Sequence, residues 1–105
     1  MPKFLYEASY TAEGTKGLMK EGGSKRRQAV EEMAKAAGGK IEAFYYAFGS
    51  NDAYLIVDVP DQATAAAISM AINASGAVTL KTTVLLTPEE IDQIARKNIK
   101  YRAPA

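Results

Sequence analysis

Apolar and polar residues alternate along residues 3–10, "KFLYEASY". Phe4, Tyr6, Ala8 and Tyr10 face one way and Lys3, Leu5, Glu7 and Ser9 the other, the period of a half-buried strand. Thr11 stands where a helix cap belongs, but Gly14, Gly17, Gly22 and Gly23 weaken the first half of the helical stretch that follows. From Ser24 the helical period is clear: Val30, Met33, Ala34 and Ala37 share one face, and Gly38-Gly39 supplies the stop. A second strand, "KIEAFYYAF", runs into the turn Gly49-Ser50-Asn51-Asp52. A third, "AYLIVDV", sets Ala53, Leu55, Val57 and Val59 against Tyr54, Ile56 and Asp58.

Pro60-Asp61 then opens a second helix, "DQATAAAISMAINAS", with Ala67, Ile68, Ala71 and Ile72 as its predicted buried stripe and Gly76 at its end. The β-branched run "VTLKTTVLLT" predicts a fourth strand. Thr87-Pro88-Glu89-Glu90 has the form of a capped helix start, with Pro in the first turn and acids near the positive end of the dipole. That last helix, "PEEIDQIARKNIK", carries Ile91, Ile94 and Ile99 and leads into a loose tail over residues 98–105.

The order is β-α-β-β-α-β with a helix added at the C-terminus. It predicts one α+β domain over residues 1–105, a ferredoxin-like plait with both main helices on one face of a four-stranded antiparallel sheet. The other face is then uncovered. By strict alternation it carries Leu5, Glu7, Phe44, Tyr46, Tyr54, Ile56, Asp58, Lys81 and Leu85, too apolar a set to lie open to water. By analogy with other single-domain plaits, two sheets are expected to pair face to face as a dimeric α/β barrel.

Composition narrows the chemistry. With 13 basic and 12 acidic residues the net charge is +1, and neither nucleic acid nor an anionic membrane is an expected partner. There is no cysteine and no histidine, which excludes disulfides, thiolate nucleophiles, Cys-ligated metals and the usual near-neutral proton shuttle. No metal and no cofactor is expected. The start "MPKFLYEASY" has no apolar stretch behind a basic one, so a cytoplasmic location is expected.

The segments "TAEGTKGL", "GGKIEAFYYAFGSNDAYLIVDVPD" and "LTPEE" together resemble the GYD-domain family of small bacterial proteins, over about residues 3–90. The naming motif is Gly-x-Tyr-Asp at the central hairpin. Here it reads Gly49-Ser50-Asn51-Asp52, with asparagine in place of the tyrosine. The resemblance implies a ferredoxin-like, oligomeric fold and no particular reaction.

Candidate site residues fall into three groups. Asp52 either shapes the hairpin through hydrogen bonds to nearby amides or orients a ligand, and turn chemistry accounts for it without one. On the uncovered face, Glu7 is expected beside Tyr54 or Asp58, with Lys81 next to it. Such groups, enclosed between two sheets, would serve as acid and base or as a buried charge pair setting dimer register. Tyr6, Tyr10, Tyr45 and Tyr46 suggest an aromatic lining, although aromatics in strands are more often core or interface.

The cluster Lys25-Arg26-Arg27 sits at the start of the strong helical half, where the dipole disfavours cations. A bound anion accounts for it, as do solvation or pairing with Glu31 and Glu32. Gly17, Gly22 and Ser24 have phosphate-loop spacing, but Gly23 stands where the lysine must be. The glycine-rich segment reads instead as a mobile stretch able to close over a pocket. Two function classes follow. One is a small-molecule-binding or regulatory homo-oligomer for a small anionic or aromatic ligand. The other is a cofactor-independent isomerase, cyclase or monooxygenase-like enzyme resting on Glu7, Asp58, Lys81, Arg26 or tyrosines.

Overall fold

A computed structural model describes all 105 residues. The elements are β1 (Lys3–Tyr10), α1 (Ala12–Glu21), α2 (Gly23–Ala36), β2 (Lys40–Tyr46), β3 (Ala53–Asp58), α3 (Gln62–Ala74), β4 (Val78–Leu85) and α4 (Pro88–Ala95). The four strands form one antiparallel sheet in the order β2-β3-β1-β4, so the first and third strands are central. The α+β class and the four-stranded antiparallel sheet match the expectation from sequence, but two helices, not one, stand between β1 and β2.

The glycine-rich segment is helical. Thr11 caps α1 by accepting from the Gly14 N–H, and its own hydroxyl donates to the Gly76 carbonyl at 2.9 Å. That ties α1 to the turn before β4. A Cβ on Gly14 would overlap the Ala77 carbonyl oxygen, so the close approach requires glycine. At Gly22, φ is +90°, a conformation L side chains rarely adopt, and there the chain breaks α1 from α2.

The core lies between the sheet and the helices. Phe4, Tyr6 and Ala8 of β1, Ala53, Leu55 and Val57 of β3, and Leu80 of β4 are buried on the helix side. The predicted stripe of α2 is confirmed: Ala34 is buried, and Val30, Met33 and Ala37 pack partly buried against the core. The stripe of α3 is shifted. Ala65, Ile68 and Ile72 face the sheet, while Ala67 and Ala71 are exposed. At Ala65, which is buried, the helix is tied to β1, because the buried Tyr6 hydroxyl donates to the Ala65 carbonyl at 2.7 Å.

Strict alternation fails in β2. Ile41 pairs with Val57, and the next pairing is Ala43 with Ile56, so the register shifts at Glu42. An extra residue in one strand inverts the facing of everything after it. Phe44 and Tyr46 are therefore on the helix side, not on the uncovered face, and Ala43 and Tyr45 take their place. Tyr45 is 72% exposed and lies opposite Tyr54. The strand also stops at Tyr46, short of Phe48, which is exposed.

Asp61 caps α3 by accepting from the Thr64 N–H at 2.7 Å, and Thr87 with Glu90 forms a reciprocal capping box at α4. The last helix is shorter than predicted, ending at Ala95, and residues 98–105 have no regular structure. Ile91 and Ile94 are exposed. No helix is long and apolar enough to cross a membrane.

Candidate functional site

α2 lies over β2 and α3 over β4, and a groove runs between the two helices above the central strands. The groove holds a cavity of about 140 Å³. Tyr6 and Leu55 form its floor, Val30 and Met33 one wall, and Ile68 and Ile72 the other. Arg26 is the one charged residue on its lining. Toward α1 the groove widens into a cleft of about 450 Å³ bounded by Glu13, Gly14 and Glu21 of α1 and by Ala71 and Ser75 of α3. Tyr10 and Arg26 stand where the two spaces meet and line both.

Local sequence explains the placement of Arg26. The break at Gly22 restarts the helix, so Lys25 and Arg26 fall in the first turn of α2, which has no acidic residue and no side-chain cap. The cation is thus held against the helix dipole, as the sequence suggested. Its ion-pair partner is Glu21, at 4.0 Å from Nη1 to Oε1, and both side chains are substantially solvent-exposed, so this pair contributes little stability. Tyr10 is held by Asp52 through its backbone N–H. Burial, reinforced by the neighbouring Tyr46 phenol and only partly opposed by Arg26, pushes its hydroxyl up to about 12. It is therefore a neutral hydrogen-bond donor at ordinary pH. Tyr46, also raised by burial, donates to the Gly23 carbonyl at 3.0 Å.

The opposite face of the sheet carries a second polar group. Glu7 pairs in register with Tyr54 on one side and Lys81 on the other, as predicted. Asn51 joins them: its amide donates to Glu7 Oε2 at 3.0 Å and to the Tyr54 hydroxyl at 3.3 Å, and its oxygen accepts from the Ser9 hydroxyl at 3.2 Å. Asp58 is not a neighbour of Glu7. It pairs with Lys3, whose ammonium reaches Asp58 at 3.2 Å and Glu42 at 2.7 Å. The Lys3 ammonium is held above its usual range chiefly by Glu42 and then by Asp58. Asp58 is 6% exposed, and its Oδ1 has no hydrogen-bond partner.

Asp52 is built into the turn. Its Oδ2 accepts from the Tyr10 N–H at 2.8 Å, its N–H donates to the Ala8 carbonyl at 2.8 Å, and its carbonyl accepts from Ala47. The turn reaches this shape without positive φ at Gly49 or Asn51, contrary to the usual reason for placing those residues in a hairpin. The predicted candidates thus divide between two faces. Arg26 and Tyr46 stand on the helix side, Glu7, Tyr54, Lys81 and Asp58 on the other, and Asp52 at the end that links them. No group of three or more acidic side chains is placed to hold a metal ion.

The family model of the GYD domain matches residues 4–95. The chain belongs to the GYD-domain family. Searches of curated proteins and of solved structures returned no match. In this GYD domain the asparagine at the motif's third position takes over the wiring of the open face, linking the turn to Glu7 and Tyr54. Sequence reasoning missed Asn51 in that role, and it missed Glu13 and Glu21 beside Arg26. The signal for the glutamates was available in principle. Once Ala12–Glu21 is helical, Glu13, Gly17 and Glu21 fall four residues apart along one face, the face that lines the cleft.

Proposed function

We propose that this GYD domain is a small-molecule-binding or regulatory module, a ferredoxin-like plait working as a homo-oligomer, with its ligand in the groove between α2 and α3. The observation that carries this reading is the cavity of about 140 Å³ above the central strands, lined by apolar side chains with Arg26 and the hydroxyls of Tyr6 and Tyr10 as its polar groups. Ligand sites are concave and mostly apolar, with a few placed polar groups that fix orientation. Arg26 and the neutral Tyr10 hydroxyl are such groups, and they select for a small anionic headgroup on an apolar body. Pairing of two sheets as a dimeric α/β barrel is the oligomer proposed, through the face of Leu5, Ile56, Leu85 and Tyr45.

The second reading, a cofactor-independent enzyme, rests on Glu7, Tyr54 and Lys81 of the sheet face. There Glu7 and Tyr54 are already engaged by Asn51, and the ionisable groups lie apart from the cavity. The binding reading is the better supported.

The test is a thermal-shift and calorimetric screen against small carboxylates, phosphates and phenols. A binder is expected to lose about tenfold or more in affinity on Arg26→Ala, the range of a hydrogen bond to a charged group. Lys97→Ala, beyond the end of α4, serves as a neutral control. No stabilising compound, or equal behaviour of the two variants, contradicts the groove as a ligand site.

A further inference from the structure

The charges around the groove are of both signs. Arg26 is the only cation lining either the cavity or the cleft, and Glu13 and Glu21 line the cleft beside it. Glu21 Oε1 is 4.0 Å from Arg26 Nη1, too far for a hydrogen bond, so a ligand lying alongside the pair can meet the cation with one charged group and the carboxylate with another. One guanidinium against two carboxylates makes the mouth a poor place for a phosphate dianion, because the like charges of Glu13 and Glu21 oppose it. A simple monocarboxylate would satisfy Arg26 and leave both glutamates facing it. A ligand carrying an ammonium next to its carboxylate answers both signs at once.

The size of the apolar part is set by the cavity. Its volume of about 140 Å³ is close to that of a dry, apolar protein cavity of about 150 Å³ that accepts benzene. One ring, or one branched aliphatic chain, fills such a space. The walls offer no hydrogen-bonding side chain to a polar group at depth apart from the Tyr6 hydroxyl, which is already bonded to Ala65.

We infer that the groove binds a free α-amino acid with a compact apolar side chain. The carboxylate rests on Arg26 and the Tyr10 hydroxyl, the ammonium on Glu21, with Glu13 adding negative charge farther along the cleft, and the side chain enters the cavity between Val30 and Ile72. This inference rests on the groove being a ligand site and adds the class of ligand. Tyr10 contributes as a donor because it lines both the cavity and the cleft beside Arg26, and a phenol is protonated at ordinary pH.

The experiment is calorimetric titration of the full chain with three probes: L-leucine, 4-methylpentanoate, which lacks the amine, and 3-methylbutylamine, which lacks the carboxylate. L-leucine is expected to bind about tenfold or more tightly than either analogue, since each analogue forfeits one charge-assisted contact. Replacing both acids, Glu13→Gln with Glu21→Gln, is expected to abolish the preference for leucine over 4-methylpentanoate, because leucine loses its ammonium contact while the carboxylate analogue gains from removal of the like charges. Arg26→Ala should weaken leucine and 4-methylpentanoate alike and leave the amine unchanged.

Equal binding of leucine and 4-methylpentanoate, or a doubly substituted protein that still prefers leucine, overturns the amino-acid class and leaves the groove reading standing. Failure of all three probes also overturns the class. The groove reading is then decided by the wider screen and its Arg26→Ala comparison.

Discussion

At the scale of single residues, most of the polar side chains have structural work that their chemistry explains. The hydroxyl of Tyr6, 1% exposed, joins the central strand to α3 through the Ala65 carbonyl, and burial pushes it up to about 12 from 10.0. The native state therefore keeps a proton that the unfolded chain releases near pH 10. Stability is fully present below about pH 10 and falls as pH rises toward 12, because the unfolded state binds fewer protons over that window. Lys3, also raised, adds a loss of the same sign. Tyr6→Phe should lower stability near neutral pH by about 1 kcal/mol, the usual net worth of one hydrogen bond. It should also flatten the decline above pH 10. Denaturant unfolding of both proteins as a function of pH checks this, and parallel curves would contradict it. Asp52 belongs with Tyr6. The turn role expected from Gly-Ser-Asn-Asp holds in its bonds to Tyr10 and Ala8, but the partners lie on β1, a distance along the chain that local sequence does not encode.

At the scale of elements, the strands, the two main helices and their caps were legible because period and capping chemistry are local. Thr11 and Thr87 cap the helices they were expected to cap, and Asp61, read only as opening α3, caps it. What was not legible depends on pairing between distant segments. The bulge at Glu42 leaves no mark in "KIEAFYY", since both alternating sets in that run contain aromatics, and only the register against β3 shows which set faces the helices. Phe44 and Tyr46 were misplaced for that reason. Ile68 and Ile72 of the α3 stripe were legible, but Ala67 and Ala71 stand in the predicted stripe in place of Ala65 because "ATAAAISMA" is small and apolar nearly all round, so that its period is faint. The glycines of α1 lowered its helical propensity, and tertiary contact overrode it. Gly14 is there to let the helix pass close to Ala77.

The candidate site shows the same division. Arg26 was singled out because its position against the helix dipole is a local anomaly, whereas its neighbours Tyr10 and Glu21 come to it from β1 and α1.

At the scale of the whole molecule, the sheet has one face under helices and one face open. Leu5, Ile56 and Leu85 share the open face with Glu7, Lys81 and Tyr54. Leu5, Ile56 and Leu85 are already half-buried, so covering each with a second copy is worth less than the roughly 1.5–3 kcal/mol of full burial, yet together they favour association through that face. Ile56→Lys is therefore expected to give monomer or aggregate in sedimentation, where the unaltered chain sediments as a dimer or larger. A stable monomer of the unaltered chain at micromolar concentration would contradict the paired-sheet oligomer.

The proposed oligomer and the proposed ligand site use opposite faces of one sheet, and that separation allows the central claim, that the groove is where small molecules bind, to be tested by location. Methyl-resolved NMR of the full chain during titration with a mixed set of small carboxylates and apolar amino acids gives the answer. Perturbations concentrated on Val30, Ile68 and Ile72, which line the cavity, are the predicted result. Perturbations confined to Leu5, Ile56 and Leu85 of the open face, with the groove methyls unmoved, would contradict it.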